Sequence, residues 1–138
     1  MEPRISATLV LSTSRPIDLA VVSERTGLPS DRRAIAGQPR TWPNGMYQSP
    51  SDRSWWSYGI DHVRTVDPEG VIETMLDLID SVGVEFRAVR RELDLDAHLS
   101  LHIWMDEGAT PDGTLTAAVL ERLVALDIDL DLDLYPAD

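Results

Sequence analysis

The chain has 138 residues, 43% of them hydrophobic, 26% charged and 6% aromatic, which is enough for one domain to bury a core without staples. It contains no cysteine, and its 24 acids against 12 bases give a net charge of −12. This excludes disulfide scaffolds, thiolate metal sites and thiol catalysis, and it opposes nonspecific binding to nucleic acid.

Ile5, Ala7, Leu9 and Leu11 alternate with Ser6, Thr8, Val10 and Ser12, the period of a half-buried strand, which Pro16 ends. Asp18 reads as the N-cap of a helix over 18–26, with Ile17 and Val22 at staple positions. Gly27-Leu28-Pro29 supplies its left-handed exit and stop. Residues 29–54 hold four prolines, two glycines and a Pro43-Asn44-Gly45 turn signal, and are expected to form a long irregular segment. Trp55 to Val66 is rich in aromatic and β-branched residues and reads as a strand.

Asp67-Pro68 restarts a helix, because Asp caps it and Pro fits its first position. Val71, Ile72, Met75, Leu76, Ile79 and Val82 form its apolar stripe up to Gly83, and a shorter helix is expected around Glu85 to Arg91. From Leu93 the period returns to two, with Leu95, Ala97, Leu99, Leu101, Ile103 and Met105 opposite Asp94, Asp96, His98, Ser100, His102 and Trp104. Thr116 is placed to cap a helix ending near Leu126, with Leu115 and Leu120 at staple positions. In a last strand Ile128, Leu130, Leu132 and Leu134 alternate with Asp127, Asp129, Asp131 and Asp133, so one face is apolar and the other a carboxylate ladder.

The expected fold is α+β and a single domain over 1–138: a mostly antiparallel sheet of four to five strands with two main helices and a shorter one on one face. The strand, proline-containing turn and helix of residues 5–26 recur at 99–126. That suits either a ferredoxin-like internal duplication or recurrence of a common motif. No apolar run approaches the roughly 18 residues of a membrane span, and Met1-Glu2-Pro3 lacks a basic leader, so a cytoplasmic protein with no membrane partner is expected.

Charge is unevenly spread. Residues 29–66 carry five arginines against three aspartates together with five of the eight aromatics, whereas 67–138 carry 18 acids and only Arg87, Arg90, Arg91 and Arg122. Such asymmetry suits self-complementary packing or two surfaces for unlike partners. All 12 basic residues are arginine, which suits GC-rich coding or, as the alternative, selection of planar guanidinium forks for carboxylate or phosphate recognition.

Arg32-Arg33-Ala34-Ile35-Ala36-Gly37-Gln38-Pro39-Arg40, followed by a loop, Trp55-Trp56-Ser57-Tyr58 and a long amphipathic helix, resembles a family of small bacterial proteins catalogued as domain of unknown function 4279. The opening Ile5-Ser6-Ala7-Thr8-Leu9 strand, the Gly27-Leu28-Pro29 exit and the closing Leu126-Asp127-Ile128-Asp129-Leu130-Asp131-Leu132 stretch are similar to it too. The resemblance spans nearly the whole chain and departs most in the loop after Arg40. It implies a bacterial single-domain α+β protein and supplies no catalytic residues.

Two candidate sites stand out. Arg32, Arg33 and Arg40 with Trp42, Trp55 and Trp56 could clamp an anion and stack a ring, unless the tryptophans fill core and the arginines pair with the acidic half of the molecule. Asp127, Asp129, Asp131 and Asp133 form either a solvated strand face or a docking face for a basic partner. Same-face strand residues sit about 6.6–6.8 Å apart, too far for four carboxylates to share one calcium ion. For the same reason His98 and His102, roughly 13 Å apart on a strand, cannot jointly chelate a metal, although a cross-strand His–Asp pair is open to each. No phosphate loop, nucleophile elbow or metal-binding His-Glu-x-x-His is present.

The expected function is a non-enzymatic interaction module without cofactor or metal, whose acidic surface binds a basic protein, as an immunity protein masks a basic toxin. The alternative is a sensor or accessory domain holding an anionic aromatic ligand in the Arg–Trp segment. Oligomeric state is left open.

Overall fold

The opening alternation becomes β1 (Arg4–Thr13), which buries Ile5, Ala7, Leu9 and Leu11 completely on one side. The computed structural model describes residues 3–106 and 110–136. After β1 come α1 (Ala20–Thr26), β2 (Arg32–Ala34), β3 (Arg40–Thr41), β4 (Tyr47–Gln48) and β5 (Ser54–Arg64). Then follow α2 (Pro68–Ser81), α3 (Gly83–Leu93), β6 (Asp96–Trp104), α4 (Ala117–Ala125) and β7 (Asp129–Tyr135).

The main sheet has the order β2-β5-β1-β6-β7. β1 runs antiparallel to both β5 and β6, and β2 runs antiparallel to β5, but β6 and β7 are parallel, joined across α4. The fold is α+β with a mixed sheet. A ferredoxin-like repeat would place the two strand–helix units equivalently. Here β1 and β2 are parallel with β5 between them, whereas β6 and β7 are direct neighbours, so the recurring local plan serves two different crossovers.

The helices number four among the described residues, and their buried side chains join the apolar side of the sheet in one cluster. From α2, Ile72, Met75, Leu76 and Ile79 are fully buried, and α3 contributes Phe86 and Val89. α3 is a full element of 11 residues rather than a short turn of helix. Its left-handed C-cap at Asp94 leads directly into β6, so the strand begins at Asp96 instead of near Leu93. The opposite face of the sheet carries Ser6, Thr8, Val10, His98, Ser100 and His102, and no helix among the described residues covers it.

Local chemistry sets the helix ends. Asp67 accepts a hydrogen bond from the Gly70 N–H at 3.1 Å, Thr116 from the Val119 N–H at 3.4 Å, and Pro68 opens α2. A Cβ on Gly70 would lie 2.6 Å from the capping carboxylate, so the cap itself explains the glycine. Asp18 does not cap as expected. α1 starts two residues later, and Asp18 binds the Ala20 N–H at 2.9 Å in a local turn.

The segment 29–54 is better ordered than its composition suggests. β3 and β4 form a small hairpin around Pro43-Asn44-Gly45, where Gly45 takes φ 85° and the Met46 N–H donates to the Asn44 side chain at 3.1 Å. The buried Ser54 hydroxyl ties both ends of this region to the sheet. It accepts from the Ile17 and Ala36 N–H groups at 3.1 and 2.9 Å and donates to the Arg15 carbonyl at 2.7 Å.

Candidate functional site

Strand pairing decides which predicted residues can meet. Consecutive strand residues face opposite sides, so Trp55 and Trp56 cannot enter the same pocket. Trp56 pairs with Leu11, is fully buried in the core, and donates its indole N–H to the Ser23 hydroxyl at 2.8 Å. It is removed from the binding set, and the period of two already held that signal.

The other five Arg–Trp candidates are brought together. Arg32, Arg33, Arg40, Trp42 and Trp55 line an open cavity of about 470 Å³ beside β2 and the β3–β4 hairpin, with Asp31, Thr41 and Gln48 completing the wall. Two arginines are committed within this region: Arg33 lies 3.4 Å from Asp18, and Arg40 donates to the Ser49 carbonyl at 3.1 and 2.6 Å. The Arg32 guanidinium has no hydrogen bond or ion pair among the described residues. Trp42 is 45% exposed, leaving an indole surface at the rim. The arginines of the cavity are therefore not neutralised by the acidic half of the chain.

Several acids elsewhere pair with arginines. Arg25 contacts Glu85 and Glu92, Arg122 bridges Asp77 and Asp80 at 2.9 and 2.8 Å, Arg53 reaches Asp96 at 2.7 Å and Arg64 reaches Asp106 at 2.5 Å. The hydrogen bonds to Glu92 and to Asp77 hold the Arg25 and Arg122 guanidiniums above the ordinary arginine pKa.

The carboxylate ladder is different. Asp129, Asp131 and Asp133 stand on β7, the edge strand, and no arginine pairs with them among the described residues. The side chains of Asp131 and Asp133 are 59% and 55% exposed, and imidazoles stand beside them: His98 at 3.8 Å from Asp131 and His102 at 3.3 Å from Asp133. The cross-strand His–Asp contact thus exists because β6 and β7 are adjacent. No three His, Asp or Glu side chains converge as a metal site among the described residues.

Asp127 leaves the ladder. It sits in the turn before β7 with φ 51°, and its carbonyl accepts from Arg90 at 3.1 Å while the Leu126 carbonyl accepts from the same guanidinium. Burial of that guanidinium lowers its pKa. Arg90 thereby fastens α3 to the start of β7, and Asp127 positions the edge strand rather than presenting a charge on it.

Sequence reasoning passed over the end of the open face. Arg4, Trp104 and Tyr135 oppose one another across β1, β6 and β7. The Arg4 guanidinium lies 5.8 Å from the Trp104 ring centre, Trp104 and Tyr135 stack with centroids 4.9 Å apart and planes within 9°, and His62 meets Trp104 edge-on at 4.6 Å. The usable signal was parity: Trp104 shares a face with His102, and Tyr135 with Asp133.

Among the described residues, a five-stranded mixed sheet with four helices, an arginine-rich cavity at one edge and a carboxylate ladder at the other define an α+β domain. The chain belongs to the family described as domain of unknown function DUF4279, whose model matches residues 3–137. No curated protein and no solved structure matches it. Among the described residues, no helix is long and apolar enough to cross a membrane.

Proposed function

We propose that the protein is a non-enzymatic interaction module that binds a basic protein through the exposed acidic edge of β7, in the manner of an immunity protein masking a cationic toxin. The observation behind this reading is the alignment of three exposed carboxylates on one edge strand with no arginine against them among the described residues. Arg25, Arg53, Arg64 and Arg122 each contact an acid elsewhere, while Asp129, Asp131 and Asp133 keep their carboxylates facing solvent. Like charges in a row oppose strand formation, and a cationic partner relieves that repulsion while accelerating encounter. The site is single-domain and cytoplasmic in this proposal, and needs no cofactor.

The test is retention of proteins from lysate of the source organism by the immobilised wild type and by the Asp129→Lys, Asp131→Lys, Asp133→Lys triple variant, at physiological salt. A basic protein held by the wild type and lost by the variant supports the proposal. The same protein held equally by both removes β7 as the docking face.

A second reading has its own support in the unpaired Arg32 beside Trp42 and Trp55: the cavity takes an anionic aromatic ligand such as a nucleotide. Tryptophan fluorescence titrated with a nucleotide panel should change saturably and lose the response in Arg32→Ala. A flat titration across the panel counts against it.

A further inference from the structure

The edge of β7 has free backbone as well as charge. In a parallel ladder, alternate residues direct both backbone groups to the same neighbour. Tyr135 directs its carbonyl to the Met105 N–H at 3.0 Å, so Asp133, Asp131 and Asp129 also address β6, and the N–H and C=O groups of Leu130, Leu132 and Leu134 point away from the sheet. No described strand lies beyond β7.

The rows of the open face define what would fit there. Across β1, β6 and β7 they run Val10–His98–Asp129, Thr8–Ser100–Asp131, Ser6–His102–Asp133 and Arg4–Trp104–Tyr135. Three rows end on a carboxylate, and the fourth ends on the outer face of a stacked ring, 40% exposed. On the other side of the strand Leu132 and Leu134 remain 54% and 59% exposed, so the apolar surface extends past the cover that α4 provides.

We propose that β7 accepts, as a sixth strand, an extended segment of a basic partner in which arginine or lysine alternates with apolar residues. This rests on the reading of β7 as the docking edge for a basic protein and specifies the form of the partner. The basic side chains would oppose Asp129, Asp131 and Asp133, a guanidinium against Tyr135 would extend the Arg4–Trp104–Tyr135 stack, and the apolar side chains would cover Leu132 and Leu134. Backbone bonds supply affinity and side-chain alternation supplies selectivity.

A second copy of this chain does not suit the edge. In a two-fold antiparallel pairing of β7 with itself, an even register sets Asp against Asp on one face, and an odd register sets Asp beside Leu. The ladder therefore disfavours self-association and leaves the edge to an oppositely charged strand.

The experiment uses the whole protein, a peptide of alternating arginine and valine, and a peptide of the same composition with its arginines and valines in separate blocks. Affinity is measured at physiological salt, and amide hydrogen exchange is followed by NMR. The alternating peptide should bind about tenfold more tightly than the block peptide and slow exchange at Leu130, Leu132 and Leu134, whose amides are otherwise open. Leu132→Pro removes one outward N–H while keeping every carboxylate, and should weaken the alternating peptide. N-methylation of the peptide on alternate residues gives the same test without altering the protein. Equal binding of both peptides with no new protection overturns strand addition and leaves the acidic docking face standing. Binding of neither peptide overturns both.

Discussion

Asp131→Asn should make the free protein more stable while weakening its hold on a basic partner. Same-face neighbours on a strand are about 6.7 Å apart, so each adjacent carboxylate pair repels by roughly 0.6 kcal/mol in unscreened water. Asp131 is the middle of three and belongs to two such pairs. Its neutralisation therefore relieves about 1.2 kcal/mol near zero salt, and a screening length of about 8 Å reduces this by roughly half at physiological ionic strength. Asparagine preserves the shape and the low strand propensity of aspartate, so the charge is the main change. Urea unfolding at low and at physiological salt measures the effect: the variant should have the higher midpoint, with a margin that shrinks as salt is added. A variant no more stable than wild type at low salt would show that the ladder is already compensated in the free protein, and the electrostatic case for a cationic partner would fail with it.

Three further outcomes follow from the packing. Arg90→Met should cost roughly 2 kcal/mol in chemical denaturation, because the Leu126 and Asp127 carbonyls lose their donor, and exchange should quicken first in β7. Trp56→Ala should cost about 3–5 kcal/mol whereas Trp55→Ala stays within about 1 kcal/mol, since only the former empties the core; equal losses would contradict the assigned strand parity. Asp67→Ala removes the α2 cap and should lower stability by about 1 kcal/mol with no change at β7, as read by thermal unfolding and by peptide binding.

The parts of the fold legible in the sequence were those with dense local periodicity. β1, α2, β6 and the Thr116 cap follow from patterns within their own residues. β2 does not, because three residues with Arg32 and Arg33 form a strand only by pairing with Ser57 and Trp56, a relation no local pattern holds. The length of α3 was hidden because Val84 is 81% exposed, leaving few apolar positions to mark its stripe. Alternation identified β7 but could not give its direction: a strand with one apolar face reads the same whether its neighbour is parallel or antiparallel. At the sites, residue types were informative and side was not. Five Arg–Trp residues share a cavity because the hairpin folds toward β2, and the sixth is lost to the core by a single step along the strand.

The position of β1 has a consequence for how the molecule is made. Of the described strands it comes first in the chain, yet it lies at the centre of the sheet, where Leu9 waits for Tyr58 on one side and Leu99 on the other. At about 5–20 residues per second, the edge of β1 that pairs with β6 stays open for on the order of 5–20 s of translation. Closing such distant pairings is slow compared with helix formation, so yield in the cell depends on how quickly β5 and β6 arrive. β6, α4 and β7 are by contrast contiguous in sequence. The edge strand follows the other described strands in the chain and pairs with β6 alone, so its own docking has the form that strand addition on its free side would take.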